Sequence, residues 1–131
     1  MDFNKGRKKL VIFKEPDRNF YSDVAFEIWR LTKRIQAAKK DNPQLDIAAV
    51  EASAARLTDL LRREKIDIQD PTGQRYNEGL AVEVLEFEKS ESLPVNTKVI
   101  VETLRPTIYF DGNVLVRAQV IVATSIDQEK A

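Results

Sequence analysis

The spacing of apolar residues changes period partway along the chain, and that change limits the folds open to it. Between residues 20 and 65 apolar side chains return every three or four positions; from residue 80 onward they return mostly at every second position. A repeat near 3.6 lines one stripe of a helix, whereas a repeat of two lines one face of a strand. Helices come first and strands second, so the expected fold class is α+β.

The first stripe is Val24, Ile28, Leu31, Ile35 and Ala38, at steps of 4, 3, 4 and 3 within residues 20–40. Asp41-Asn42-Pro43 ends this helix, because a residue before proline is pushed out of helical backbone. The second stripe is Ile47, Val50, Ala54, Leu57 and Leu61, at steps of 3, 4, 3 and 4 within residues 44–65. Asp46 is the expected N-cap, and Arg62, Arg63 and Lys65 crowd the last turn, at the negative end of the helix dipole. Two matched seams with a short connection predict a helical hairpin over residues 20–65. One hairpin covers one face of each helix, and a small domain buries a small fraction of its surface. A homodimer is therefore expected, its two hairpins forming a four-helix bundle. The dimerisation seam would hold Val24, Ile28, Leu31, Ile35, Ile47, Val50, Leu57 and Leu61. Phe26 and Trp29 lie off the first stripe. They either widen the core face or touch something else, the β-region or another subunit.

Residues 66–79 read as a linker. Ile66 and Ile68 alternate around Asp67, enough for a brief strand, and Asp70-Pro71-Thr72-Gly73 is a turn sequence. Residues 80–124 are expected to form a small antiparallel β-domain, with strands near 80–88, 97–104, 107–110 and 114–123. Leu93-Pro94-Val95-Asn96 would turn between the first two, and Asp111-Gly112 between two β-rich runs signals a hairpin. The flanks are a basic leader, residues 1–19, and a polar tail, residues 125–131, expected to fray. In the leader, Lys5, Arg7, Lys8 and Lys9 precede Leu10-Val11-Ile12-Phe13. That segment is either an arm for a partner or nucleic acid, or a leader with one short strand or helical turn.

The chain contains neither Cys nor His. A disulfide framework, a thiolate or imidazole metal site and an imidazole base are thereby excluded. Four well-separated glycines make no phosphate-binding loop. Glu83, Glu86, Glu88 and Glu91 cluster. They read as a cation or paired-carboxylate site or, preferably, as the solvated face of a strand and its following loop. No catalytic residue, metal or cofactor is assigned, so a binding protein is expected in preference to an enzyme. Lys plus Arg equal Asp plus Glu at 21 each, which gives no general drive toward nucleic acid or an acidic membrane. No apolar run approaches the about 18 residues of a membrane-spanning helix. Leu10 to Phe13 is too short for a signal-peptide core, so a cytoplasmic location is expected. Leu104-Arg105-Pro106 before a strand and Arg117 in the last strand are candidate interface anchors. Equally, Pro106 would mark a sheet edge and Arg117 an ordinary outward position.

Two stretches carry a family likeness. Leu57-Thr58-Asp59-Leu60-Leu61-Arg62-Arg63-Glu64-Lys65-Ile66-Asp67-Ile68 resembles the end of the bundle helix and the exit into the β-domain of the GrpE family of nucleotide exchange factors. Residues 111–123, Asp-Gly-Asn-Val-Leu-Val-Arg-Ala-Gln-Val-Ile-Val-Ala, are similar to that family's final hairpin, which reads Asn-Gly-Arg, a Val-Leu-Arg-Pro-Ala type run, then alternating Val. The likeness covers about Leu57 to Ala123, the earlier helices fitting by pattern. Departures are plain. The family's Phe-Asp-Pro…His-x-Ala signature has no clean counterpart in Tyr76 to Val82, its Gly-Tyr aligns with Thr107-Ile108, and its next two Arg positions align with Asn113 and Val116. Most of the N-terminal stalk helix is missing. The resemblance implies a dimeric co-chaperone whose β-domain binds the nucleotide-binding domain of an Hsp70-type ATPase and promotes ADP release. It implies contacts at Leu104, Asn113 and Val122, with Arg105, Pro106, Val116 and Arg117 as neighbours. The alternative is a dimeric structural adaptor in a protein complex, without exchange activity.

Overall fold

The computed structural model describes residues 18–126. The elements run α1 (Arg18–Asp41), α2 (Ala48–Arg63), β1 (Ile66–Gln69), β2 (Val82–Ser90), β3 (Lys98–Arg105), β4 (Thr107–Phe110), β5 (Asn113–Val116) and β6 (Ala118–Ser125). The fold is α+β: two helices followed by two three-stranded sheets, ordered β1-β4-β5 and β2-β6-β3. The leader's basic cluster and apolar run, and the tail beyond Ile126, lie outside the described residues.

Both helices form where the seams predict, with different edges. The N-cap position of α2 is Ile47, which makes no side-chain cap hydrogen bond, so Asp46 does not cap it. The seams split into two halves. Ile28 and Leu61 pack with Ala25, Ile66 and Ile108 in one core cluster, joined by the partly buried Tyr21, Val24, Ile68, Phe110, Leu115 and Val116. This cluster fastens the hairpin to the first sheet. Farther along, Ile35 and Ala54 are buried, while Leu31, Val50, Leu57 and Leu60 are exposed, Leu60 by 51%. Ile28, Ile35 and Leu61 thus serve the core of the single chain. Leu31, Val50 and Leu57 remain at the surface, and Val24 and Ile47 are half-buried.

The β-region departs from the expected all-antiparallel arrangement. β6 lies between β2 and β3; it is antiparallel to β3 but parallel to β2, from Val82↔Ala118 to Ser90↔Ser125. β2 and β3 therefore do not pair as a hairpin, and Leu93 to Asn96 carries the chain past β6. The segment 114–123 is two strands. β5 joins the first sheet and β6 the second, with Arg117 at the change. The hairpin at Asp111-Gly112 forms as expected, with φ of 51° and 83°, the two positive values that a type I′ turn requires. Ser125 is a buried strand residue and not part of a tail.

The segment read as a linker is built into both sheets. Its first residues form β1, paired with β4 from Ile66↔Phe110 to Gln69↔Thr107, and Ile66 is almost wholly buried. Beyond the turn, the Gly73 N–H donates to the Ile100 carbonyl (2.8 Å), the Ile100 N–H to the Gln74 carbonyl (2.9 Å) and the Tyr76 N–H to the Lys98 carbonyl (2.9 Å). These bonds close the free edge of β3. Tyr76, Leu80 and Val84 then cover the second cluster, Val82, Ile100, Ala118, Val120 and Val122. One face of the second sheet is the core; the other faces solvent.

Candidate protein-binding face

Besides the first core cluster, two contacts tie the β-region to α1, and both use the aromatics that lie off the helical stripe. Trp29 Nε1 donates to Asp70 Oδ2 (3.0 Å), and Lys33 Nζ lies 3.2 Å from the same oxygen. Asp70 Oδ1 accepts from the Thr72 backbone N–H (3.0 Å) and hydroxyl (2.7 Å). Partial burial pushes the Asp70 carboxyl upward. The bonds from Thr72, Trp29 and Lys33 outweigh that effect and hold it at about 2. Beside this latch, Phe26 stacks on Trp29, centroids 5.9 Å apart, and the Arg105 guanidinium lies 4.8 Å from the Phe26 centroid. Arg105 Nε is buried without a hydrogen-bond partner, so the ring quadrupole supplies part of the attraction lost with water. Of the two readings left open for Phe26 and Trp29, contact with the β-region is the one observed.

Three bulges shape the solvent face of the second sheet. Val84 pairs with the buried Val120 and Phe87 with the buried Val122, so Leu85 and Glu86 between them both turn outward, opposite Ile121. On β3, Ile100 pairs with Val122 and Thr103 with Val120, so Val101 and Glu102 also turn outward, opposite Ile121. A third bulge adds Leu104 to Arg105 opposite Gln119. A bulge inserts one residue and turns side chains that strict alternation would bury. Here each inserted residue is an exposed aliphatic: Leu85 (49%), Val101 (43%) and Leu104 (42%). They surround the half-buried Ile121, and the exposed carboxylates of Glu83, Glu86, Glu88 and Glu102 frame them. Glu86, Glu88 and Glu102 make no ion pair among the described residues. The face combines an apolar centre with an acidic rim, the anatomy of a protein interface.

The seven residues implied as partner contacts scatter. Val122 is 0% exposed in the second core cluster and Pro106 is also fully buried, so neither can touch a partner. Val116 packs against the helices. Arg105 is held on Phe26, and Arg117 Nη2 donates to the Val82 carbonyl (2.7 Å), tying the sheet change to the start of β2. Leu104 and Asn113 are exposed but not adjacent. Leu104 precedes β4, whereas Asn113 follows it, paired with Phe110. Leu85 and Val101 were not singled out from the sequence; the one available signal was the adjacent apolar pairs Val84-Leu85 and Ile100-Val101, where strict alternation breaks.

Between the sheets runs an open cleft of about 520 Å³, lined by residues that include Asp67, Gln69, Gln74, Leu80, Thr107 and Tyr109. Among the described residues no group of three or more carboxylates is placed to hold a metal ion. No helix among them is long and apolar enough to cross a membrane. No family model matches the chain, and no curated protein matches it significantly.

Proposed function

We propose that this chain is a GrpE-like co-chaperone that binds the nucleotide-binding domain of an Hsp70-type ATPase as a homodimer and promotes ADP release. The observation that carries the reading is the solvent face of the second sheet, where Leu104 stands with Leu85, Val101 and Ile121 inside a ring of carboxylates. Leu104 is the one residue that is exposed, belongs to this face and is implied as a contact by the sequence resemblance. The exposed Val50, Leu57 and Leu60 on α2 and the exposed Leu31 on α1 support a bundle between two hairpins. The latch from Trp29 to Asp70 would transmit the orientation of that bundle to the β-region.

Such a protein acts by differential binding. It lowers nucleotide affinity only to the extent that it prefers the nucleotide-free ATPase. Titration calorimetry with the ATPase domain, with and without saturating ADP, tests this. Tighter binding without ADP is the expected result; equal affinity in both states, or no binding, removes the exchange-factor reading. The adaptor reading is favoured by one specific finding, the burial of Val122 together with the separation of Asn113 from Leu104. An adaptor would bind its partner through the same face with no dependence on nucleotide.

A further inference from the structure

The acid-rimmed face has a chemical complement within the chain itself. Lys5, Arg7, Lys8, Lys9 and Lys14 bracket Leu10-Val11-Ile12-Phe13, a basic rim around an apolar centre. The face presents Leu85, Val101, Leu104 and Ile121 inside Glu83, Glu86, Glu88 and Glu102. We propose that residues 5–14 dock on the solvent face of the second sheet of the same chain, apolar run on aliphatic centre and lysines against the carboxylates.

Reach permits it. Phe26 lies about 12 Å along α1 from Arg18 and already touches Arg105 at one end of the face. Ile121 is two residues along β6 from Gln119, the partner of Arg105, a further step of about 7 Å. The apolar run Leu10 to Phe13 lies eight to five residue steps before Arg18, an extended span of at most about 29 Å from Leu10 and about 18 Å from Phe13. Energetics favour it too. Joined to the fold, the segment meets the face at an effective concentration near the millimolar range, so a weak intrinsic affinity suffices. Opposite charges at the rim strengthen the contact and make it sensitive to salt. A partner that uses Leu104 would have to displace the segment, which makes residues 5–14 a competitor for this face. The inference does not depend on what that partner is.

The absence of native cysteine gives a direct test in the full-length chain. The pair Ile12→Cys and Val101→Cys is expected to form a disulfide under mild oxidation, with a product of monomer mass. The control pair, Ile12→Cys with Asp46→Cys in the exposed interhelical connection, should yield several-fold less. Adding Glu86→Lys and Glu102→Lys should cut the first yield several-fold with an unchanged circular dichroism spectrum. A second readout needs no cross-link. Alkylation of the lone thiol in Val101→Cys should become several-fold faster when Lys8→Glu and Lys9→Glu are added. Equal yields for the two pairs, a product only of dimer mass, or alkylation indifferent to the leader's charge would overturn the proposal.

Discussion

Asp70→Asn should loosen the β-region from α1, and the size of the effect follows from the geometry. Both carboxylate oxygens are used, one by the two Thr72 groups and the other by the Trp29 indole and the Lys33 ammonium. An asparagine replaces one acceptor by a donor. Whichever way its amide is turned, an N–H then faces either the Thr72 N–H or the Trp29 and Lys33 donors. The fall of the Asp70 pKa from 3.8 to about 2 corresponds to about 2.5 kcal/mol at about 1.4 kcal/mol per pKa unit. With 26% of the side chain exposed, solvent screening reduces this to about 1–2 kcal/mol. The folded-state pKa is depressed, so the contribution is complete above the unfolded value of 3.8 and is lost as pH falls through about 2. Urea unfolding of both proteins from neutral pH downward measures it. The fluorescence of Trp29, the single tryptophan, reports the latch, and circular dichroism reports the helices. A deficit of about 1–2 kcal/mol at neutral pH should shrink between about pH 4 and pH 2. Equal stabilities at neutral pH, or a deficit that does not change with pH, would refute the reasoning.

Further expectations concern core, assembly and site. Ile66→Ala should cost about 2–4 kcal/mol in chemical denaturation, because the residue is a buried core member and not part of a mobile linker. Val122→Asp should give an unfolded or aggregated product by circular dichroism, since it places a carboxylate in a closed apolar cluster. Leu57→Glu with Leu60→Glu should halve the mass seen by light scattering while leaving helix content unchanged; a wild type that is already monomeric would remove the dimer.

The helical hairpin was legible because its seams repeat at 3 and 4 and a proline marks the bend. The strand pairing was not. Alternation shows which side of a strand is buried, yet says nothing about which strand lies beside it, and the parallel β2–β6 pair joins segments 36 residues apart. The segment 66–79 looked like a linker because turn residues dominate its second half, but backbone groups of Gly73, Gln74 and Tyr76 complete the edge of β3. Val122 illustrates the limit of reading contacts from a resemblance. Which face of a strand meets solvent depends on what covers it, here Tyr76 from that segment and Leu80 just beyond it. Two of the three bulges coincide with adjacent apolar pairs, Val84-Leu85 and Ile100-Val101, whereas the third, at Leu104, has none, and the shared outward face emerged only with the register.

The central claim is an acceleration of nucleotide release that depends on the sheet face. Its most direct measurement is the rate at which a labelled ADP leaves an Hsp70-type ATPase from the same cell, with and without this protein. The account predicts faster release by the wild type and a loss of that acceleration in a folded Leu104→Asp variant. Release at the unassisted rate from every such ATPase, or acceleration untouched by Leu104→Asp, would contradict it.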